Sequence, residues 1–380
     1  GAGFWPRRSA ALPRGRAGHA AHPKPSWWTA QLGRSWSLDY FETIVPFPDA
    51  SHVFLLTRHA TFRQFFDTNG DGHYETAIPS DEYRQLEKTP TGWELRGLDG
   101  MVDSFDNAGR WTQRVARNGS PRTATYSAGF LTSVAFADGR REDFGYTGGR
   151  LTSITEVGLG GSETRVWGMV WQGDDLMRLN RPDATALVFT YSGGSMTRYE
   201  LEGTDGSRRV EEAWEYDAMG NVLRNWKGDV SFNGPGAAAK WQLTYDDAAN
   251  PTEATVTDPL GTVATYSITR DPASPKPRIT QIAGDCPVCG LGPNSQSFFD
   301  DPQNPLRPTR QVDGRGVSTL FEWDARGQMT SKVEAWGTAL ERETRYEYDA
   351  NFPALVTLIE QPSTTGNPLE FRRRVITATR

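Results

Sequence analysis

Short runs of alternating hydrophobic and polar residues cover most of this chain, and Gly, Asn, Asp or Pro separates one run from the next. In TYSAGFLTSV, which starts at Thr125, the alternation continues on both sides of a short Ala-Gly turn. A period of two predicts strands, and turn residues between two such runs predict a β-hairpin. Only PSDEYRQLEK, from Pro79, has a spacing for which we predict a short helical piece. The pattern therefore predicts an all-β fold.

A unit built on this pattern recurs along the sequence. It is an aromatic residue, often followed by Asp, then a small or Gly-containing turn, then a polar and β-branched run. Several neighbouring copies lie 20 to 25 residues apart, so each unit has room for two strands. Clear copies begin at Phe105, Tyr126, Tyr146, Tyr191, Tyr216, Tyr245, Trp323 and Tyr348, and weaker copies at Trp171 and near Phe299. Tandem β-hairpins of this kind predict a long antiparallel strip.

The aromatic residues have two interpretations. A single hairpin is marginal in water, so the copies must bury one face together, and Tyr, Phe and Trp are suited to that packing. A ladder of structural aromatics is the favoured interpretation, and a row of exposed rings that stacks on sugars is the alternative. For the Asp after the aromatic, we predict that its carboxylate caps the backbone of its own turn rather than taking part in catalysis.

Composition and charge favour a protein of many short strands and argue against a nucleic-acid-binding or membrane-spanning protein. Hydrophobic residues make up 37% and aromatics 11% of the chain, and there are 39 glycines, which suits many short strands. Six basic residues and no acid precede Asp39, so that segment carries +6; because the total is −6, the remainder carries −12. An acidic body is a poor nucleic-acid binder. No apolar run approaches the ~18 residues of a membrane span, and no signal peptide is visible.

Four segments follow from these patterns. Residues 1–30 are predicted to be a basic, Pro-rich linker, with a transit peptide or an arm for an anionic partner as alternatives. Residues 31–100 are predicted to be a leading region of β-strands, 101–362 the repeats, and 363–380 a terminal, partial repeat.

The repeat resembles that of the Rhs, or YD-repeat, family, which includes bacterial polymorphic toxins, wall subunits of insecticidal toxin complexes and teneurins. The residues that carry the resemblance are YEYDANFPAL, WEYDAMGNVL, FEWDARGQMTS and FGYTGGRLTSI, together with QLGRSWSLDY from Gln31 and TGWELRGLDGMVDSFDNAGR from Thr91. It runs from about Gln31 to about Pro362. The resemblance implies that the strip spirals into part of a hollow shell around a C-terminal toxin domain.

The resemblance also implies partners and a location. They are the remainder of the shell, its toxin domain, and a secretion apparatus or target-cell surface, for a bacterial protein delivered by a specialised route. Members of the family carry a self-cleaving core with a DPxGL signature. TDPLG at Thr257 and DDPQN at Asp300 are not in that context, so no protease role is carried over.

The stretch FFDTNGDGHYE, from Phe65, has the spacing of a calcium loop. Asp67, Asn69 and Asp71 match the first half of such a loop, but its twelfth position is Ile78 rather than Glu. A shorter loop closed by Glu75, with the His73 carbonyl as a further ligand, remains feasible. The same residues are also strong hairpin-turn signals, and a plain turn is favoured over a weak calcium site. We predict no other cofactor.

The two cysteines of the chain, Cys286 and Cys289, form a CPVCG stretch. A zinc ribbon needs four ligands, and there is no second cysteine pair, although upstream histidines leave a composite site open. We predict a local disulfide or two reduced thiols in a turn between repeats.

No catalytic motif is present in the sequence. We find no nucleophile elbow, zinc-protease helix, P-loop or dinucleotide fingerprint, so we predict that the chain is not an enzyme. The favoured function is a non-catalytic structural segment of an Rhs-type shell that encloses and helps to deliver a toxin. The alternative is an adhesin-like or teneurin-like module that binds glycans or a protein. A β-propeller enzyme fits less well, because its blades need about twice this repeat length.

Overall fold

The structure is a computed structural model, and it describes residues 26–33, 36–47, 52–58, 62–76, 82–161, 163–270, 277–285, 293–362 and 371–376. Within these residues the chain forms one α-helix, one short 3-10 turn at Leu159–Gly161 and 29 strands. The helix and strands are α1 Ser26–Leu32, β1 Thr43–Pro46, β2 His52–Leu56, β3 Phe62–Phe66, β4 His73–Thr76, β5 Gln85–Thr89, β6 Gly92–Arg96, β7 Val102–Asp106, β8 Trp111–Val115, β9 Pro121–Ser127, β10 Phe130–Phe136, β11 Arg141–Thr147, β12 Arg150–Val157, β13 Thr164–Gln172, β14 Asp175–Asn180, β15 Ala186–Ser192, β16 Ser195–Glu202, β17 Arg208–Tyr216, β18 Val222–Lys227, β19 Ala238–Tyr245, β20 Glu253–Thr257, β21 Val263–Arg270, β22 Pro277–Gly284, β23 Ser295–Phe298, β24 Arg310–Val312, β25 Ser318–Trp323, β26 Met329–Trp336, β27 Arg342–Tyr348, β28 Val356–Pro362 and β29 Phe371–Val375.

Every strand pairs antiparallel with the next strand along the chain, from β1 to β29. The strands form one open sheet rather than a closed barrel. The prediction of an all-β strip of tandem hairpins is therefore confirmed.

Turn residues fix the tight hairpins. The β9–β10 turn places Ala128 at φ 49° and Gly129 at φ 83°, and the β11–β12 turn places Gly148 at 58° and Gly149 at 82°. Two successive left-handed residues define the two-residue turn whose twist matches that of the flanking strands. Glycine adopts this conformation without strain, which explains the Gly-rich turns of these copies.

The strip has two different long margins, because successive turns of a meander lie on opposite sides. Turns from an odd-numbered to an even-numbered strand follow the repeat aromatic, for example 217–221 and 324–328; we call this side the YD margin. Turns from an even-numbered to an odd-numbered strand, for example 203–207 and 258–262, form the side that we call the DG margin.

The strip coils until the two margins meet. The backbone N–H of Ala354, in the β27–β28 turn, donates to the carbonyl of Leu98, in the β6–β7 turn, at 2.9 Å. The Tyr83 hydroxyl, which lies just before β5, donates to Asn304 Oδ1, between β23 and β24, at 2.9 Å. The DG margin of the early strands thus lies against the YD margin of the late strands.

Apolar burial is concentrated in the first half of the strip. One large cluster joins the segment that precedes β1 to strands β2–β15, and its members include Trp28, Leu32, Trp36, Leu38, Tyr40, Phe41, Leu55, Phe65, Leu86, Trp93, Phe105, Trp111, Leu131, Phe144, Leu151, Ile154, Leu176, Leu179 and Phe189. A second cluster holds only Val210, Ala213, Trp226 and Phe232 as buried members.

Helix α1 was not predicted, and it spans residue 30, where we expected a linker to end. The predicted helical piece from Pro79 is wrong in its second half, because Gln85–Thr89 is strand β5; Pro79 to Asp81 lie outside the described residues. None of the helices that the structure describes has the length and apolar character needed to cross a membrane. The division into four segments stays a prediction.

Candidate functional site

A hydrogen bond from the repeat aromatic links one hairpin to the hairpin before it. The Tyr126 hydroxyl, for example, donates to the carbonyl of Trp111 at 2.8 Å. The same bond recurs from Tyr191 to Leu176 O, Tyr216 to Met196 O, Tyr245 to Val222 O and Tyr348 to Met329 O, and from the indole N–H of Trp171 to Leu151 O and of Trp323 to Pro308 O. Tyr and Trp can make this bond, whereas Phe, which occupies the position at Phe105, has no donor.

In most of these hairpins a β-bulge lies behind the turn, next to the acceptor of this bond. In the β11–β12 hairpin, Gly145 pairs with Ser153 and Tyr146 pairs with Leu151, so Thr152 is the extra residue. The Thr152 hydroxyl donates to the Gly145 carbonyl at 3.3 Å. Such a bulge interrupts the backbone ladder and increases the local twist.

Threonine fills the bulge in several copies. The extra residue of the hairpin donates its hydroxyl across the strand pair from Thr112 to Ser104 O, Thr132 to Thr125 O and Thr197 to Thr190 O. These bonds satisfy carbonyls beside the interrupted ladder, which would otherwise be costly to leave unpaired. The recurring Thr three residues after the turn, as in FLTS and RLTS, was a visible signal whose role we did not predict.

The Asp that follows the aromatic caps its own turn, as predicted. Asp217 Oδ1 accepts the backbone N–H of Met219 at 2.8 Å and of Asn221 at 2.9 Å. Asp324 accepts from Arg326 and Gln328 in the same way. Partial burial opposes ionisation of Asp217, but the hydrogen bonds from Asn221 and Met219 outweigh it and lower the pKa of this carboxyl.

The segment before β1 packs on the aromatic ladder of the first half. Trp36 meets Phe189 edge to face at 4.9 Å, and its indole N–H donates to the Tyr191 hydroxyl at 3.0 Å. Tyr191 in turn donates to Leu176. Tyr40 lies between the rings of Trp111 and Phe144, at 5.4 and 5.9 Å. This segment therefore covers rings that the repeats alone would leave exposed.

A buried ionic network fixes the end of this segment. The Glu42 side chain is 2% exposed and lies 3.0 Å from Arg84 and 3.5 Å from Arg114. Arg114 also pairs with Asp103 at 2.7 Å. Burial raises the pKa of the Glu42 carboxyl in spite of Arg84 beside it. Because Arg84 also pairs with Glu82 at 2.7 Å, removing Glu42 would take from each arginine one of its two carboxylate partners.

The predicted calcium loop forms a hydrogen-bonded turn between β3 and β4. Asp67 accepts the backbone N–H groups of Gly70 at 2.7 Å and Gly72 at 3.1 Å. Asn69 Nδ2 donates to Asp71 Oδ2 at 2.8 Å. Glu75 follows in β4, where it pairs with Phe66 of β3. The calcium site with Asp67, Asn69, Asp71 and Glu75 stays a prediction.

Cys286 and Cys289 lie outside the described residues, so the disulfide or thiol pair also stays a prediction. Among the residues that the structure describes, no group of three or more His, Cys, Asp or Glu side chains is placed to hold a metal ion.

A polar cavity of about 370 Å³ opens on the sheet at β21–β23. The Arg278 guanidinium lies 5.2 Å from the Phe299 ring at this cavity, and Arg278 Nη1 donates to the carbonyl of Pro305 at 2.7 Å. The other lining residues include Thr269, Thr280, Gln281, Gln296, Ser297, Phe298 and Asp300. Amide, hydroxyl and carboxylate groups beside an aromatic ring suit a hydroxyl-rich ligand.

Comparison with known proteins gives matches among solved structures. No protein-family model matches the sequence, and no curated protein is similar to it. The structure is similar to a chain of the Tc holotoxin pore of Photorhabdus luminescens that carries a TccC3 mutation, with 11% identity and a TM-score of 0.39, over 86% of this chain and 23% of that one. It is also similar to two crystal structures of TcdB2-TccC3. One of them, with TEV in its name, has 12% identity and a TM-score of 0.45, over 86% of this chain and 20% of that one. The other has 14% identity and a TM-score of 0.38, over 83% of this chain and 20% of that one. The chain spans about a fifth of the length of these chains.

Proposed function

We propose that this chain is a non-catalytic wall segment of an Rhs-type β-shell that encloses a toxin and helps to deliver it. The observation that carries the proposal is the single open strip of hairpins, whose DG margin lies against its own YD margin at Leu98 and Ala354. A strip whose two long margins bond to each other in this way can form a continuous wall. The resemblance of the repeat motifs to the YD family supports the same function.

The hydrogen bonds between successive hairpins make the hairpins of the wall depend on one another for stability. Seven of the repeat aromatics donate a hydrogen bond to the preceding hairpin, so a local opening of one of these hairpins removes a bond from its neighbour as well. Because the turn carboxylates are engaged by their own backbone, they have a structural role rather than a chemical one. The partners of such a wall are the remaining shell and the toxin domain, in a protein that bacteria secrete or deliver.

Protease protection in the complete gene product tests the proposal. We expect a segment downstream of the strip to resist trypsin while the wall is folded, and to be digested when Trp36→Ala opens it. A matched variant, Val166→Thr, changes an exposed strand residue and should keep the protection. A product that lacks any downstream segment, or one whose downstream segment is digested equally fast in all three proteins, would contradict toxin enclosure.

The second candidate is a binding module for glycans, and the cavity beside Arg278 favours it. Titration with a panel of neutral oligosaccharides would distinguish the two functions. Binding that Arg278→Ala and Gln296→Ala both abolish, together with no protected downstream segment, would favour the module over the wall.

A further inference from the structure

The face of the sheet that the segment before β1 covers can be followed by strand register into the late strands. Phe189 lies two residues before the repeat aromatic Tyr191, and it meets Trp36 of that segment edge to face. Side chains two residues apart along a strand lie on the same side of a sheet. Phe321 and Tyr346 precede their own repeat aromatics by two residues, so they lie on this same side, which we call the inner face.

On strands β25–β29 the inner face is basic and the opposite face is acidic. Strand pairing aligns Phe321 with Lys332, and it aligns Tyr346 with Ile359 and Arg374. By the same register, the charged residues of the inner face are Lys332, Glu334, Arg342, Arg372 and Arg374, with a net charge of +3, and those of the opposite face are Glu322, Glu343, Arg345, Glu347, Glu360 and Arg373, with a net charge of −2. The surplus of positive charge on these strands thus lies on the inner face.

Two exposed arginines of the inner face, Arg372 and Arg374, form no ion pair within the part of the chain that the structure describes. Arg373, between them, lies on the opposite face and pairs with Glu360 at 2.7 Å. The other two bases of the inner face share one carboxylate, that of Glu334, at 2.9 and 3.5 Å. The inner face can therefore accept a carboxylate at each of the two exposed arginines without breaking an existing ion pair.

Aromatic and aliphatic side chains lie beside these arginines. The rings of Phe321 and Trp323 stack at 6.2 Å, and both side chains are half-buried. Tyr346 and Ile359, also half-buried, form the row of paired residues that continues to Arg374. Arginine and aromatic residues are the types that are enriched in protein–protein interfaces. The surface thus combines apolar area with positive charge.

In the first region the inner face already holds a polypeptide. There the segment before β1 packs Trp36 and Tyr40 on the rings of the ladder. Its Glu42 carboxylate lies 3.0 Å from Arg84 and 3.5 Å from Arg114. Rings together with carboxylates are the chemical complement of a face that carries aromatic residues and arginines.

We propose that the inner face of β25–β29 is a docking surface for a polypeptide segment in which aromatic residues alternate with carboxylates. The carboxylates pair with Arg372 and Arg374, and the rings pack on Tyr346 and Phe321. Basic and aromatic residues also bind single-stranded nucleic acid, but the body of this chain carries −12 and repels a phosphate backbone. The proposal depends on residues of this chain alone, and it goes beyond enclosure of a toxin.

A peptide with the sequence of residues 36–43, WSLDYFET, probes this surface, because it has the composition that the inner face holds in the first region. Fluorescence anisotropy of the labelled peptide should show binding to the intact chain with a Kd of about 10–300 µM, as expected of a small surface. A neutral peptide with Asn and Gln in place of Asp39 and Glu42 should bind about tenfold more weakly, because its charge-assisted hydrogen bonds are lost.

Two variants of the chain locate the binding. Arg372→Gln with Arg374→Gln should weaken binding of the acidic peptide by about tenfold. Arg373→Gln removes the same charge from the opposite face and should bind like the wild type. All three side chains are exposed, and circular dichroism would verify that both variants are folded.

Several results would overturn the proposal. They are a wild type that does not bind at about 1 mM peptide, a neutral peptide that binds as tightly as the acidic one, and a double variant that keeps its affinity. An equal loss of affinity in Arg373→Gln would also contradict docking on the inner face. A short single-stranded oligonucleotide that displaces the labelled peptide at a lower concentration than unlabelled peptide does would identify a nucleic-acid surface instead.

Discussion

Strands β9–β16 and strands β25–β29 are built from the same hairpin, but they bury their common positions differently. The residue before the repeat threonine is 1% exposed at Leu131 and fully buried at Leu151. The corresponding Met329 and Val356 are only half buried. Since turns, bulges and hairpin-linking bonds occur in both regions, the difference comes from the segment before β1, which covers only the first region.

The comparison separates two sources of order. In both regions the repeat sequence determines the strand pairing, through its turn residues and the hydrogen bonds between hairpins. The hydrophobic core requires a second layer, because one sheet face cannot bury itself. In this chain α1 and residues 36–42, the segment before β1, supply that layer for the first region. The late repeats therefore depend more on backbone pairing and on the margin contact near Phe352.

Removing an aromatic ring from each region should give the largest contrast. Trp36→Ala should lower the free energy of unfolding by about 3–5 kcal/mol, because it empties a buried site against Phe189 and removes a hydrogen bond to Tyr191. Phe321→Ala, where a half-buried ring stacks on Trp323 at 6.2 Å, should cost about 1–2 kcal/mol. Urea denaturation followed by tryptophan fluorescence measures both. Equal losses would remove the distinction between the regions.

Breaking an ion pair should give the next largest contrast. Glu42→Gln should cost about 3 kcal/mol, because Arg84 and Arg114 lose a buried counter-charge. Glu211→Gln, which breaks a pair with the exposed Arg209, should change the free energy of unfolding by less than about 0.5 kcal/mol. A Glu42→Gln protein as stable as the wild type would show that the network does not hold the segment in place.

Two repeat tyrosines, one with a hydrogen-bonded hydroxyl and one without, allow the contribution of this hydrogen bond to be measured. Tyr348→Phe removes the bond to Met329 O and should cost about 1 kcal/mol. The Tyr146 hydroxyl is buried and has no hydrogen-bond partner among the described residues, so Tyr146→Phe should be neutral or stabilising. Thermal unfolding of the two variants measures the difference. A reversed order would contradict the role of the hydroxyl as a link between hairpins.

The Asp67 turn should respond to mutation independently of calcium. Asp67→Ala should cost about 1 kcal/mol with or without the ion, because its carboxylate accepts two backbone N–H groups. Calorimetry with calcium on both proteins checks this. Heat and a calcium-dependent rise in melting temperature that only the wild type shows would instead establish the predicted metal site.

Acid should remove a small share of the stability through the turn carboxylates. Hydrogen bonds, first from the Thr252 hydroxyl and then from the Glu253 N–H, lower the pKa of Asp246 from 3.8 to about 2. Because the folded pKa lies below the unfolded one, this stability is present above pH 4 and is lost as the pH falls from about 4 to about 2. Asp246→Asn should therefore flatten the fall in melting temperature over that window. An unchanged slope would contradict this assignment.

Local signals made the strip predictable, and non-local packing explains what was missed. The Gly-rich turns and the Asp caps depend on a few adjacent residues, so their spacing in the sequence was sufficient to predict the hairpins. Strand β5 was read in part as a helix because its Leu, Glu and Lys residues favour helices, yet pairing with β6 overrides that preference.

Helix α1 was missed because it has seven residues, with no acid in its first turn and no base in its last. Such a helix is stable only through the burial of residues such as Trp28 and Leu32 against distant strands. Likewise, the acceptor of each repeat tyrosine lies in another hairpin. The restriction of this position to Tyr and Trp in most copies was the available clue.

Hydrogen–deuterium exchange along the intact chain tests most directly the claim that the repeats make the strip while the segment before β1 stabilises its first half. The account predicts slow exchange in β9–β16 and faster exchange in β25–β29, with Trp36→Ala accelerating only the first region towards the rate of the second. Uniform protection along the strip, or acceleration by Trp36→Ala in both regions alike, would contradict it.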